Sequence, residues 1–178
     1  KQFILGILFF LPVLFLLFLY PSSHNYEPLD VVNDKVMELT SLSDNDTRFK
    51  GNITILNFAG TKPLLKSTTT LNLKELIYDK FLGFKRFQVI TIAVDDSQIE
   101  LEQLRKQLLD YDALKYWKFI TMDSFQIQNM YNSLKSKGPL DDSYATDEVF
   151  IIDSELMQRG RIDDRTDNDI EKNVTIYG

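Results

Sequence analysis

Apolar positions follow three different rhythms along the chain. From Gln2 to Tyr20 the run QFILGILFFLPVLFLLFLY carries no charge. NITILNFA (52–59) and RFQVITIAV (86–94) are short, β-rich and nearly continuous in apolar residues, the pattern of strands covered on both faces. Between them Leu73, Leu76, Ile77, Phe81 and Phe84 recur at helical spacing. A strand, helix, strand unit of this kind implies parallel pairing with a right-handed crossover.

The second half repeats the alternation. A helix follows Asp96-Ser97 with Leu101, Leu104, Leu108 and Tyr111 on one face, and the short strand YWKFITM (116–122) then leads to Asp123 or Ser124 as an N-cap. The next helix has Ile127, Met130, Tyr131 and Leu134 as its apolar stripe. After the polar loop GPLDDSYATD, EVFIID (148–153) and QRGRID (158–163) read as an antiparallel hairpin. Parallel βαβ first and a hairpin last, with helices on both faces, predicts a thioredoxin-like α/β sandwich around a central mixed β-sheet.

The charge-free N-terminal run is close to the roughly twenty residues that cross a bilayer. It predicts one transmembrane helix within residues 1–21; about eighteen apolar residues exceed a signal peptide's core, and PSSHNY offers no small-x-small cleavage site. Lys1 precedes the span, and the next cation is Lys35, beyond Glu27 and Asp30, so the positive-inside rule puts the soluble part on the periplasmic side of the cytoplasmic membrane. Residues 22–34, polar and holding Pro28, read as a tether, and 35–178 as the domain. A first residue that is Lys rather than Met suggests a few residues ahead of it. The acidic residues Asp167, Asp169 and Glu171 look like the start of a final helix continuing past Gly178.

Composition narrows the chemistry. The 178-residue chain is 44% hydrophobic, enough for one domain with a real core. A net charge of −6 without a basic block argues against nucleic-acid binding. There is no cysteine, which removes disulfides, thiolate metal sites and thiol redox chemistry, and the lone histidine, His24, cannot build a multi-imidazole site.

One stretch stands out. FAGTKPLLKST (58–68) runs from a strand end into a helix, and Lys62 and Lys66 bracket Pro63-Leu64-Leu65. Two cations at a helix start repel each other and oppose the positive end of the helix dipole. In a thioredoxin-like architecture this turn is the functional one. Here the sequence resembles the Sco/SenC family, membrane-anchored thioredoxin-fold proteins that deliver copper during cytochrome c oxidase assembly. Pro63 matches the proline of the family's C-P-x-x-C-like turn, and Lys62 and Lys66 stand where its paired cysteines would. The strand ending Val94-Asp95, the YWKFITMD segment and VFIIDSELMQRGRID look like their Sco counterparts over roughly residues 35–170. The family's copper-binding histidine falls in the region of Ala145, Thr146 and Asp147, where no histidine stands.

The resemblance therefore implies a degenerate, cysteine-less member: not an enzyme, with no cofactor, copper being the family's metal and not expected here. It implies a binding or assembly factor tied to cytochrome c oxidase biogenesis, acting through an unidentified protein partner such as a respiratory-complex component. An alternative is a copper chaperone or thiol-disulfide oxidoreductase using ligands supplied by a partner. Another is an anion site formed by Lys62, Lys66 and Thr68, with hydroxyls running on to Thr70, against the favoured plainer reading of two solvated lysines. Either of two acidic groups, Asp141, Asp142, Asp147 and Glu148, or Asp163, Asp164, Asp167, Asp169 and Glu171, could hold a hard cation, but the second lacks the glycine and ligand spacing of a calcium loop, and solvated surface is the favoured reading of both. Tyr116, Trp117 and Phe119 read as core or sheet-edge aromatics.

Overall fold

The computed structural model describes residues 6–7, 10–15, 29–39, 47–109, 114–161 and 171–172. Among the described residues six strands form one sheet in the order β1-β6-β5-β2-β3-β4. They are β1 (Asp30–Asn33), β2 (Ile53–Gly60), β3 (Phe87–Val94), β4 (Trp117–Met122), β5 (Ala145–Ile152) and β6 (Gln158–Gly160). β2 is parallel to β3, and β3 to β4, while β5 is antiparallel to both β2 and β6. The helical pieces are α1 (Ser67–Leu73), a one-turn α2 (Asp79–Phe81), α3 (Gln98–Leu109) and α4 (Ser124–Asn132). Helices joining parallel strands, followed by an antiparallel hairpin, make a thioredoxin-like α/β sandwich with a mixed central sheet.

Strand periodicity divides the core in two. Leu56, Phe58, Ile90, Ile92, Ile120, Met122, Phe150 and Ile152 point to one face and pack against Ile127, Met130, Tyr131 and Leu134, the stripe read from the α4 sequence. Phe58, Tyr131 and Phe150 meet edge to face, with centroids 5.4 to 6.0 Å apart. On the other face Ile55, Val89 and Trp117 pack with Leu73, Tyr78, Leu104 and Leu108. The indole N–H of Trp117 donates to Thr91 Oγ1, whose hydroxyl donates to Asn57 Oδ1, so these buried polar groups satisfy one another. Asp123 is the N-cap of α4, accepting from the Gln126 N–H.

Several sequence expectations need adjustment. The tether does not run to residue 34 as irregular chain, because Asp30–Asn33 is an edge strand antiparallel to β6. Four residues are too few for a period to register, and the partner strand lies at the far end of the sequence. The hairpin strand β5 begins at Ala145 rather than Glu148, and β6 ends at Gly160. The first helix departs from its stripe: a π-helical turn spans Lys74–Tyr78, with the Asp79 N–H donating to Lys74 O five residues back. The extra residue rotates the phase, so Lys74 and Tyr78 are buried while Leu76, Phe81 and Phe84 are exposed.

The anchor expectation falls largely outside the described residues. Residues 10–15 are helical with exposed Phe10, Leu11 and Phe15, and among the described residues no helix is long and apolar enough to cross a membrane. Tyr111 and, apart from Glu171, the second acidic run also lie outside them.

Candidate functional site

The site begins where β2 ends. Gly60 has φ +67°, and a Cβ there would come within 2.2 Å of the Ser143 carbonyl oxygen, so this position requires glycine. The adjacent Thr61 N–H donates to that same oxygen at 2.8 Å. The turn after β2 is thereby fastened to the segment before β5. Lys62 is non-helical, and Pro63 occupies the first position of a 3-10 turn, Pro63–Lys66, where its missing N–H costs nothing. Thr70 donates its hydroxyl to Lys66 O as the chain passes into α1.

The facing wall is built by Asp141. Its Oδ1 accepts from the Ser143 N–H, the Ser143 hydroxyl and the Ala145 N–H. Burial pushes the Asp141 carboxyl up, but these hydrogen bonds and the nearby Lys66 charge outweigh it and hold it below the usual carboxylate value. Beyond this turn, β5 carries an irregularity. Asn57 opposes Val149 and Ala59 opposes Ala145, so a two-residue advance on β2 faces a four-residue advance on β5. Bulges of this kind re-aim side chains, and this one contains Asp147.

The result joins two of the positions singled out in sequence. Lys66 Nζ lies 2.8 Å from Asp147 Oδ1, with Thr69 Oγ1 3.4 Å from the same oxygen. The Lys66 side chain is 20% exposed and that of Asp147 76%, so the lysine is largely covered by its surroundings while the carboxylate faces water. The remaining positions are separate from this pair. Lys62 and Thr68 are exposed, Ala145 is buried beneath Gly60, and Thr146 Oγ1 accepts the Glu148 N–H. Sequence reasoning placed Thr69 only among the hydroxyls beside the lysines, read Asp141 as solvated surface and gave Gly60 no role. The Asp-x-Ser spacing of 141–143, a signature of side-chain-capped turns, was the available signal for Asp141.

The donors gathered here are an ammonium, a carboxylate and a hydroxyl. They are hard groups, and a protonated amine offers no lone pair, so they do not fit copper(I), which selects thiolate and thioether. Among the described residues no group of three potential metal-ligating side chains occurs. For an anion, the Lys66 charge is already matched by Asp147. The indole of Trp117 stacks on Phe119 at 5.8 Å within the sheet.

No protein-family model matches the chain, and no curated protein does either. Solved structures do resemble it. BsSco, a member of the Sco family of cytochrome c oxidase assembly proteins, is 17% identical over 74% of this chain and 84% of its own, with a TM-score of 0.48. Apo Sco1 from Thermus thermophilus is 19% identical over 78% and 87%, at 0.47. The thioredoxin domain of a thiol-disulfide oxidoreductase from Bacteroides vulgatus is 15% identical over 85% and 100%, at 0.40.

Proposed function

We propose that this chain is a membrane-tethered, Sco/SenC-like thioredoxin-fold protein that serves as a non-catalytic binding or assembly factor in cytochrome c oxidase biogenesis. One observation carries the reading: the Lys66–Asp147 ion pair closes the gap between the turn after β2 and the β5 bulge. Those are the two places where the resembled family keeps a cysteine and its histidine. The pair ties the two segments together without any group that binds a soft metal or exchanges electrons. The chain as a whole supplies no thiol either. What persists is a shaped end of a sheet, suited to contact with another protein. In this reading the domain stands on the periplasmic side, residues 1–21 anchor it, and a respiratory-complex component is the partner.

Deleting the gene and measuring assembled oxidase by its haem absorbance tests the reading. Loss of assembled oxidase, restored by the native chain and equally by a Lys66→Ala/Asp147→Ala variant, supports an assembly role that needs no chemistry at the pair. Normal oxidase in the deletion strain contradicts it.

A further inference from the structure

Charge is segregated along the strand direction. The ends of β2, β3 and β4 that lead into helices are ringed by exposed Asp95, Asp96, Asp123, Asp141, Asp142 and Asp147, around the Lys66 site. The opposite end, where the same strands begin, presents exposed Arg48, Lys50, Lys80, Lys85, Arg86 and Lys115. The acids described there are largely engaged: Glu38 accepts from the Phe49 and Lys50 N–H groups, Asp79 holds Lys74 and Asp153 holds Arg159, leaving Glu155 exposed. In a chain of net charge −6 this cationic end opposes the overall balance.

Large apolar groups stand among these cations. Phe81 is 43% exposed, Phe84 58% and Ile53 47%, and the Ile53 N–H donates to Arg86 O at 2.7 Å, which places them at one end. Phe81 packs on both Phe84 and the buried Phe87 at 5.5 Å, so the outward rings are held in place before any contact is made. Residues 80–86, KFLGFKR, contain no acid. Half-exposed aromatic rings within a collar of Lys and Arg match the boundary of an anionic bilayer, where rings enter the headgroup layer and cations meet phosphates.

We infer that the segment running from α2 into β3, residues 80–86, docks on an anionic phospholipid surface and stands the sheet upright on it. β2 has eight residues, so the Lys66–Asp147 end is held roughly 26 Å away along the strand, facing outward. This rests on the membrane-tethered reading for its setting but not for its chemistry. A cation-and-aromatic end would equally meet an acidic protein surface, and the test separates the two.

The chain has no cysteine, so single labels are clean. At Gly83 an added Cβ meets nothing within 4 Å. The full chain carrying Gly83→Cys, or Asp96→Cys at the other end, is labelled with a fluorophore and reconstituted into phosphatidylcholine bilayers with or without phosphatidylglycerol, with a headgroup quencher. Expected is quenching at Gly83→Cys but not at Asp96→Cys, dependent on phosphatidylglycerol and lost at high salt. Lys80→Glu/Lys85→Glu/Arg86→Glu should lower the contact by at least about tenfold, given the attraction per basic residue at such surfaces. Phe84→Ser should lower it without a charge change, with circular dichroism confirming the fold of each variant. No quenching at Gly83→Cys, equal quenching at both ends, or quenching indifferent to lipid charge overturns the inference, as does shielding that appears only when an acidic protein is added. Alkaline extraction of the same vesicles tests the anchor separately: a retained chain with no quenching overturns the docking alone, and an extracted chain overturns the tether alone.

Discussion

At the scale of single residues, the site is defined by one glycine and one ion pair. Gly60→Ala places a Cβ against the Ser143 carbonyl and forces a left-handed φ on an L-residue, so it should cost at least about 2 kcal/mol, measured by urea unfolding. Lys66→Ala and Asp147→Ala should each cost less than about 1 kcal/mol, and a double-mutant cycle should give a coupling below that figure, because the carboxylate is largely hydrated. The two lysines of FAGTKPLLKST drew attention from sequence alone, and their opposition to the helix dipole was legible there. That Lys66 is answered by Asp147 was not, because the two are 81 positions apart and meet through a bulge whose extra residues carry no distinctive composition. Lys62, its apparent twin, stays exposed.

At the scale of elements, the first helix shows how a period can mislead. Leu73, Leu76, Ile77, Phe81 and Phe84 count correctly for an uninterrupted α-helix. The buried ammonium of Lys74 bonds both oxygens of Asp79 at 3.0 and 2.9 Å, a five-residue spacing that suits the π-helical turn and moves Tyr78 inward instead. Tyr78 then accepts the Tyr116 N–H with its hydroxyl, tying helix to sheet. Asp79→Ala should cost about 2 kcal/mol by leaving the 4%-exposed Lys74 charge without its partner, whereas Lys74→Met should cost less, since a similar volume replaces the ammonium and Asp79 reaches water. Thermal unfolding of the two variants side by side checks the order. By contrast the α4 stripe and the Asp123 cap were readable because nothing interrupts the period there.

For the whole molecule, alternating strand and helix patterns were enough to reach the sandwich, since parallel strands buried on both faces leave continuous apolar runs. The edge strand β1 was hidden for the opposite reason, being short and half exposed. Acid should weaken the fold through two carboxylates. Burial pushes Asp153 up, but the Met157 N–H, the Arg159 guanidinium and the Glu155 N–H outweigh it and depress its pKa, as the Ser143 and Ala145 bonds depress that of Asp141. A carboxylate depressed in the folded state stabilises fully above its unfolded value near 4, and that contribution is lost as pH falls through the folded value. The urea midpoint should therefore drop below about pH 4, and less steeply in Asp153→Asn. The central claim is that the Lys66–Asp147 end binds no soft metal, and copper(I) titration of the purified full chain in detergent tests it most directly. No stoichiometric binding tighter than about micromolar is expected from an ammonium, a carboxylate and a hydroxyl; a one-to-one complex tighter than that, weakened by Lys66→Ala or Asp147→Ala, would contradict it.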